Sequence, residues 1–270
     1  MYKGLHILVL LWSMVAVGSV NAAEEFEGRA KYPEVQFIEL EDLRQKQSDV
    51  VIVDVRSSLE YDTLRVKGAL NIPLSESTFD DALLKLREST DKTIVFYCNG
   101  RTCHKSYKAA RRAGIINVPD TVAFDAGIFD WVRAYPDEGE LLGESPVKPD
   151  DLIDGDKFKA HLLEPAEFVA RIPENSLVMD VRDPTQRAGV RFFGVERTVS
   201  LNDGAKIDSL LREAKEAGKT LLIYDQVGKQ VRWLQYRLER AGLDQYYFMK
   251  GGADAYYEVL AQKFKDQYGN

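Results

Sequence analysis

Cysteine occurs twice in the 270 residues, and both copies fall in the segment Cys98-Asn99-Gly100-Arg101-Thr102-Cys103-His104-Lys105. Two thiols five residues apart, set among Arg101, His104 and Lys105, suit either nucleophilic sulfur chemistry or thiol–disulfide exchange. Cys98 follows the apolar run Thr93 to Tyr97, which has the length of a buried strand, and a helix is expected from about Lys105 to Ala113, ending at Gly114. A thiol at that junction meets loop donors and the positive end of a helix dipole, both of which favour thiolate over thiol. Gly100 lets the backbone bend so that successive N–H groups form a cradle for an anion such as a thiosulfonate, a persulfide sulfur or an oxyanion. Ligands of open α/β sheets gather at the carboxyl ends of the strands, and Cys98 sits at such an end.

The elements that must carry this loop are written twice. Val51-Ile52-Val53-Asp54-Val55-Arg56 returns as Leu177-Val178-Met179-Asp180-Val181-Arg182, and Thr93-Ile94-Val95-Phe96-Tyr97 returns as Thr220-Leu221-Leu222-Ile223-Tyr224. Ala126-Gly127 followed by Trp131 returns as Gly251-Gly252 followed by Tyr256. The offsets of 126, 127 and 125 residues are too long for a solenoid and mark a duplicated domain. Continuous apolar runs of strand length alternate with helical patterns such as Asp80 to Leu86, and further elements are expected at Val122 to Phe124 and Phe129 to Ala134. That alternation predicts an α/β fold of two tandem domains, each a mostly parallel sheet with helices on both faces.

The expected boundaries are residues 34–135 for the first copy, which carries Cys98, and 157–264 for the second. Residues 136–156, rich in Pro and acids, read as a linker over the surface. Asp54 and Arg56, like Asp180 and Arg182, recur in both copies and are read as structural, and Trp131 as a core residue. His161 reads as an ordinary surface residue.

Lys3, the apolar run Leu5 to Val17 and the small residues ending at Ala22 have the pattern of a cleaved export signal over residues 1–22. The run is short for a membrane span, which needs about 20 apolar residues, so no membrane attachment is expected after cleavage, and the mature chain is expected in a periplasm or secreted. There, Cys98 and Cys103 can form a disulfide. That bond would block Cys98 until reduced, so it could serve as a redox gate, or Cys103 could act as a resolving thiol. A net charge of −7 argues against a general nucleic-acid binder, and two cysteines are too few for a disulfide scaffold or a Cys-rich metal site.

Asp54-Val55-Arg56 after a buried strand, Lys67-Gly68-Ala69-Leu70-Asn71-Ile72-Pro73, Tyr97-Cys98-Asn99-Gly100, Ser106 with Ala109-Ala110, and Ala126-Gly127 ahead of Trp131 together resemble the rhodanese (sulfurtransferase) family. The resemblance covers nearly the whole mature chain as two copies. It implies that Cys98 takes sulfur from a small donor, thiosulfate or a persulfide, holds it as a persulfide and passes it to cyanide or a thiol. Residues 99–105 would line the site, and neither metal nor organic cofactor would be needed. It also implies a pocket at the domain interface, with the second copy shaping access to Cys98.

Three features depart from the family pattern. Cys103 stands where many members place an arginine, in a loop about two residues longer than the short sulfurtransferase loop. Leu64-Arg65-Val66 replaces the usual glycine-histidine element, as Val190-Arg191-Phe192 does in the second copy. Asp225 replaces the nucleophile in the second copy, which is therefore expected to be silent, and this reverses the usual tandem arrangement. Arg232 follows Asp225 at the spacing at which Lys105 follows Cys98, and it either pairs with Asp225 or binds a ligand. Three other functions compete: a thiol–disulfide or redox-sensing protein with a redox partner protein, a non-catalytic binding module, and a phosphatase, for which Lys105 is a poor substitute for the required loop arginine.

Overall fold

The computed structural model describes residues 26–188 and 190–269. The expected export signal, residues 1–22, lies outside the described residues. The first half runs α1 (Glu27–Lys31), α2 (Leu40–Gln45), β1 (Val50–Asp54), α3 (Ser58–Thr63), β2 (Leu64–Val66), β3 (Leu70–Asn71), α4 (Phe79–Ser89), β4 (Thr93–Tyr97), α5 (Lys105–Ile115), β5 (Thr121–Phe124) and α6 (Gly127–Ala134). A short strand β6 (Gly139–Leu141) and α7 (Gly155–Lys159) lead into the second half. There β7 (Leu162–Leu163), α8 (Pro165–Arg171), β8 (Ser176–Asp180), α9 (Pro184–Arg187), β9 (Arg197–Thr198), α10 (Gly204–Glu216), β10 (Thr220–Tyr224), α11 (Val231–Arg240), β11 (Tyr246–Met249) and α12 (Gly252–Tyr268) follow.

Two parallel sheets result, ordered β3-β1-β4-β5 and β9-β8-β10-β11-β7. Their central strands are buried on both faces, which is why they read as unbroken apolar runs rather than as alternating ones. The register is shared. Asp54 faces Tyr97 at the carboxyl end of the β1–β4 pair, and Asp180 faces Tyr224 at that of the β8–β10 pair. The first sheet even keeps a trace of β7, as a parallel bridge between Phe37 and Ala123. Helices cover both faces of each sheet. In the first unit one face is filled by Val53, Phe79, Phe96 and Ala109, and the other by Ile52, Val95, Phe124 and Trp131, which is core as expected.

Three expectations need correction. The helix after Cys98 does not stop at Gly114 but runs to Ile115, and the left-handed residue that ends it is Asn117 (φ 58°). Val118 N–H then donates to Ala113 O and Asn117 N–H to Gly114 O, the paired bonds of a Schellman motif, which Asn tolerates almost as Gly does. The Pro-rich stretch is not a surface strap. Its β6 pairs antiparallel with β2, Leu64 opposite Leu141, while Val147 and Ile153 are buried in the first core. These apolar residues are too irregularly spaced to show a period, and the pairing is between distant parts of the chain. His161 is not a free surface residue either: its ring stacks on Tyr246 at 3.9 Å between centroids.

The two units share packing. Trp233 and Tyr236 of α11 join the core of the first unit, and Trp233 stacks on Phe129 at 5.9 Å. Ile153 N–H donates to the Tyr236 hydroxyl at 3.1 Å, and Arg240 donates to Leu142 O at 2.9 Å.

Candidate functional site: the loop of Cys98

Strand β4 ends at the buried Tyr97, whose hydroxyl accepts from Val66 N–H, and the chain turns at once into the loop that precedes α5. Cys98 is 1% exposed, while Cys103 is only half-buried. Their sulfurs are joined as a disulfide with 6.4 Å between Cα atoms. Cys103 N–H donates to Gly100 O at 2.7 Å, a turn that folds the loop back over Cys98. The Cys98 sulfur lies 3.1 Å from the carbonyl oxygen of Cys103 and 3.8 Å from Ser106 Oγ.

A glycine braces the loop from below. Gly127, at the start of α6, has φ +66°, and a Cβ there would lie 2.6 Å from Gly100 Cα and 2.7 Å from Asn99 C. Ile128 N–H donates to Cys98 O at 3.0 Å from the same helix start. The repeat keeps this device. Gly252, φ +63°, would press a Cβ to 2.5 Å from Asp225 O and 2.7 Å from Gly228 N. The Gly that stands in the sequence as a repeat landmark and as part of the family pattern is therefore the floor of each loop.

The basic side chains flanking Cys98 in sequence each lie beside a carboxylate. Arg101 Nε is 2.8 Å from Asp130, Lys105 Nζ is 3.8 Å from Glu60, and His104 Nε2 is 3.8 Å from Glu27. Thr102 is exposed. Sequence spacing put these side chains next to the thiol, and the structure directs them to partners from three other segments, Arg101 and Lys105 at the surface and His104 largely buried.

Beneath the loop, Asp54, Arg56 and Asn99, all present in the sequence motifs, join in one network with Glu60, which is not. Arg56 is fully buried and forks onto Asp54, donates to Leu64 O at 2.5 Å, and gives its remaining Nη1 to Asn99 Oδ1 at 3.1 Å. Asn99 Nδ2 in turn donates to Glu60 at 3.0 Å. Glu60, 3% exposed, closes a capping box with Ser57 at the start of α3. Burial alone would raise its pKa, but the charges of Arg56 and Lys105 and hydrogen bonds from Asn99 and Ser57 hold it below the usual carboxylate range. Burial would likewise lower the pKa of Arg56, and the Asp54 carboxylate instead raises it above the ordinary arginine value. The Ser-x-x-Glu spacing from Ser57 was the available signal for Glu60, but a capping box alone does not say that its carboxylate will reach a loop 39 residues away.

The second loop shows what the same backbone does without a thiol. The carboxylate of Asp225 accepts from the backbone N–H groups of Gly228, of Gln230 at 2.6 Å and of Val231 at 3.3 Å. The cradle is occupied by an anion that the chain supplies itself. Arg232 does not pair with Asp225; it donates to Ile153 O at 2.7 Å and lies over Phe129, so it serves the junction between the units. Arg182 repeats the fork onto Asp180, but the counterpart of Asn99 is Gln226, which turns to Asp254, and the Arg182 Nη1 is buried with no hydrogen-bond partner among the described residues. A cavity of about 350 Å³ between the units is lined by Ser57, Leu59 and Ser75 on one side and by Asp225, Gln226 and Gln230 on the other. It opens on the Asp225 loop and not, as the family resemblance implied, on Cys98.

The family described as the rhodanese-like domain matches residues 37–134. A curated relative, the HTH-type transcriptional regulator Rv0324 of Mycobacterium tuberculosis (strain ATCC 25618 / H37Rv), is 34% identical over 117 residues, 41% of this chain and 48% of that protein. The tRNA uridine(34) hydroxylase of Salmonella heidelberg (strain SL476) is 33% identical over 96 residues, 34% of this chain and 26% of that protein. The chain thus spans about half the length of the first relative and about a quarter of the second. Among solved structures, a thiosulfate sulfurtransferase from Pseudomonas aeruginosa aligns over 86% of this chain and 46% of its own, with 19% identity and a TM-score of 0.36. A human single-domain sulfurtransferase aligns over 37% of this chain and 96% of its own, with 22% identity and a TM-score of 0.31.

Proposed function

We propose that this chain, whose residues 37–134 match the rhodanese-like domain family, is an exported sulfurtransferase with Cys98 as its nucleophile. Once the bond to Cys103 is reduced, the Cys98 thiolate attacks the outer sulfur of a donor such as thiosulfate. The S–S bond of the donor breaks, sulfite leaves with the electron pair, and Cys98 persulfide remains. A thiophilic acceptor, cyanide or a thiol, then takes the terminal sulfur and restores the thiolate. The loop amides stabilise the persulfide anion, and Arg56 and Glu60 hold Asn99 so that the loop keeps its form. The observation that carries this reading is the Asp225 carboxylate seated on three backbone amides in the sister loop, because it supports an anion-binding role for the loop design that Cys98 occupies in the first unit.

The test is intact mass on protein reduced anaerobically and then treated with thiosulfate or a small persulfide. Sulfite release and uptake of one sulfur, about 32 Da, either retained or subsequently given up as sulfide, are expected, and Cys98→Ser should show neither. A reduced protein that releases no sulfite and takes up no sulfur from either donor class would sink the reading. Export is tested separately by sequencing the N-terminus of the chain recovered from a bacterial periplasm, where Ala23 is expected first; recovery of an uncleaved chain from the cytoplasm alone refutes it. The disulfide favours a second reading, a thiol–disulfide protein without sulfur transfer, which the same mass experiment separates.

A further inference from the structure

We infer that Cys103 is the acceptor of the first sulfur transfer, so that the chain acts as a dithiol that reduces sulfane sulfur and releases it as sulfide. The inference rests on the reading of Cys98 as the persulfide carrier. After a donor has left its outer sulfur on Cys98, the Cys103 thiolate attacks the Cys98 sulfur itself. The bond between Cys98 and the terminal sulfur breaks, the terminal sulfur leaves with the electron pair and takes a proton from water as hydrosulfide, and the Cys98–Cys103 disulfide forms. The sulfane sulfur gains two electrons and the pair of thiols loses two.

Four observations support this course. The bond that the step would leave is the one the structure contains, between the only two cysteines of the chain. Both sit in one loop, and the turn from Cys103 N–H to Gly100 O brings the Cys103 carbonyl to 3.1 Å from the Cys98 sulfur, so the attacking thiol is held at high effective concentration. Cys98 is 1% exposed in the disulfide form, which keeps an external reductant off its sulfur. Cys103 is the more exposed of the two, and thiol–disulfide exchange follows access. An external reductant thiol therefore attacks the Cys103 sulfur, forms a mixed disulfide there and expels Cys98 as the thiolate ready for the next donor. A second thiol of the same reductant then releases Cys103. The partner this implies is a dithiol reductant, and it meets the chain at the Cys103 side of the loop.

The inference is tested in a single turnover. Wild-type protein and Cys103→Ser are reduced, freed of reductant under anaerobic conditions and mixed with one equivalent of thiosulfate, with a low-molecular-weight persulfide as the second donor. The wild type should release about one sulfide per chain and end about 2 Da lighter than its reduced form, as a disulfide. Cys103→Ser should release no sulfide and hold the added sulfur, about 32 Da, until cyanide discharges it as thiocyanate. Cys103→Ala serves as a second variant should the serine disturb the fold. A wild type that retains the added sulfur and releases no sulfide overturns the inference and leaves Cys98 as the carrier. Loss of sulfite release and sulfur uptake in both proteins overturns the reading of Cys98 as well.

Discussion

Glu60 illustrates how one buried side chain ties a local cap to a distant loop. Its carboxylate completes the Ser57 capping box, accepts from Asn99 and lies 3.8 Å from Lys105. A carboxyl held low in the folded chain stays ionised while its unfolded counterpart, near 4.5, begins to take up protons. Its contribution to stability is therefore complete above about pH 4.5 and is lost as the pH falls through the lower folded value. Glu60→Gln keeps the shape and an acceptor for Asn99 but cannot titrate. Urea midpoints measured from pH 7 to pH 3 should show the wild type ahead of Glu60→Gln at neutral pH and the gap closing in acid. A gap of constant size across that range would mean that the charge of Glu60 does not matter. The second unit lacks this tie: Gln186 caps α9 at the surface, and Arg182 has an Nη1 with no hydrogen-bond partner among the described residues.

At the level of elements, each loop is set by a strand end, a helix start and the glycine of the next helix. Gly127 combines a left-handed backbone with close approach to Asn99 and Gly100, so Gly127→Ala strains the chain and also pushes the loop off its floor. Gly143 separates the two effects, since it has φ +83° but open space around its Cβ position. Gly143→Ala should cost about 1 kcal/mol. Gly127→Ala should cost clearly more, roughly 2–4 kcal/mol, and should slow sulfur uptake by Cys98. Denaturant unfolding and single-turnover rates measure both quantities; equal costs for the two variants would show that the contact between loop and helix is slack.

At the scale of the molecule, the duplicated units behave as coupled bodies. Trp233 is 5% exposed, stacks on Phe129, and places its ring 5.2 Å from the guanidinium carbon of Arg56. Tyr236 accepts from Ile153 N–H in the stretch that joins the halves, and Arg232 donates to Ile153 O. The second unit thereby supports the Cys98 loop from the Arg56 side. Calorimetry of the wild type should give one cooperative transition. Trp233→Ala removes a large buried side chain at a cost of about 3–5 kcal/mol and should split the transition in two, with the first unit melting earlier. A single unshifted transition in Trp233→Ala would show that the units are held together elsewhere.

The amino-acid sequence by itself determined the apolar runs that became β1, β4, β8 and β10, the duplication, the confinement of both thiols to one loop, and the loss of the thiol at Asp225. These are local or periodic properties: strand burial and repeat spacing are written in consecutive residues, and Cys98 had to follow a strand because the run before it ends at Tyr97. What the tertiary structure decided involves partners far apart in the chain. Asn99 meets Glu60 across 39 residues, the Pro-rich stretch pairs with β2, and Trp233 reaches Arg56. No spacing rule links such residues, because their distances are set by how two sheets and their helices pack. The carboxylates that take up Arg101 and Lys105, and the amides that hold Asp225, became visible only when folding brought them within hydrogen-bond or ion-pair reach.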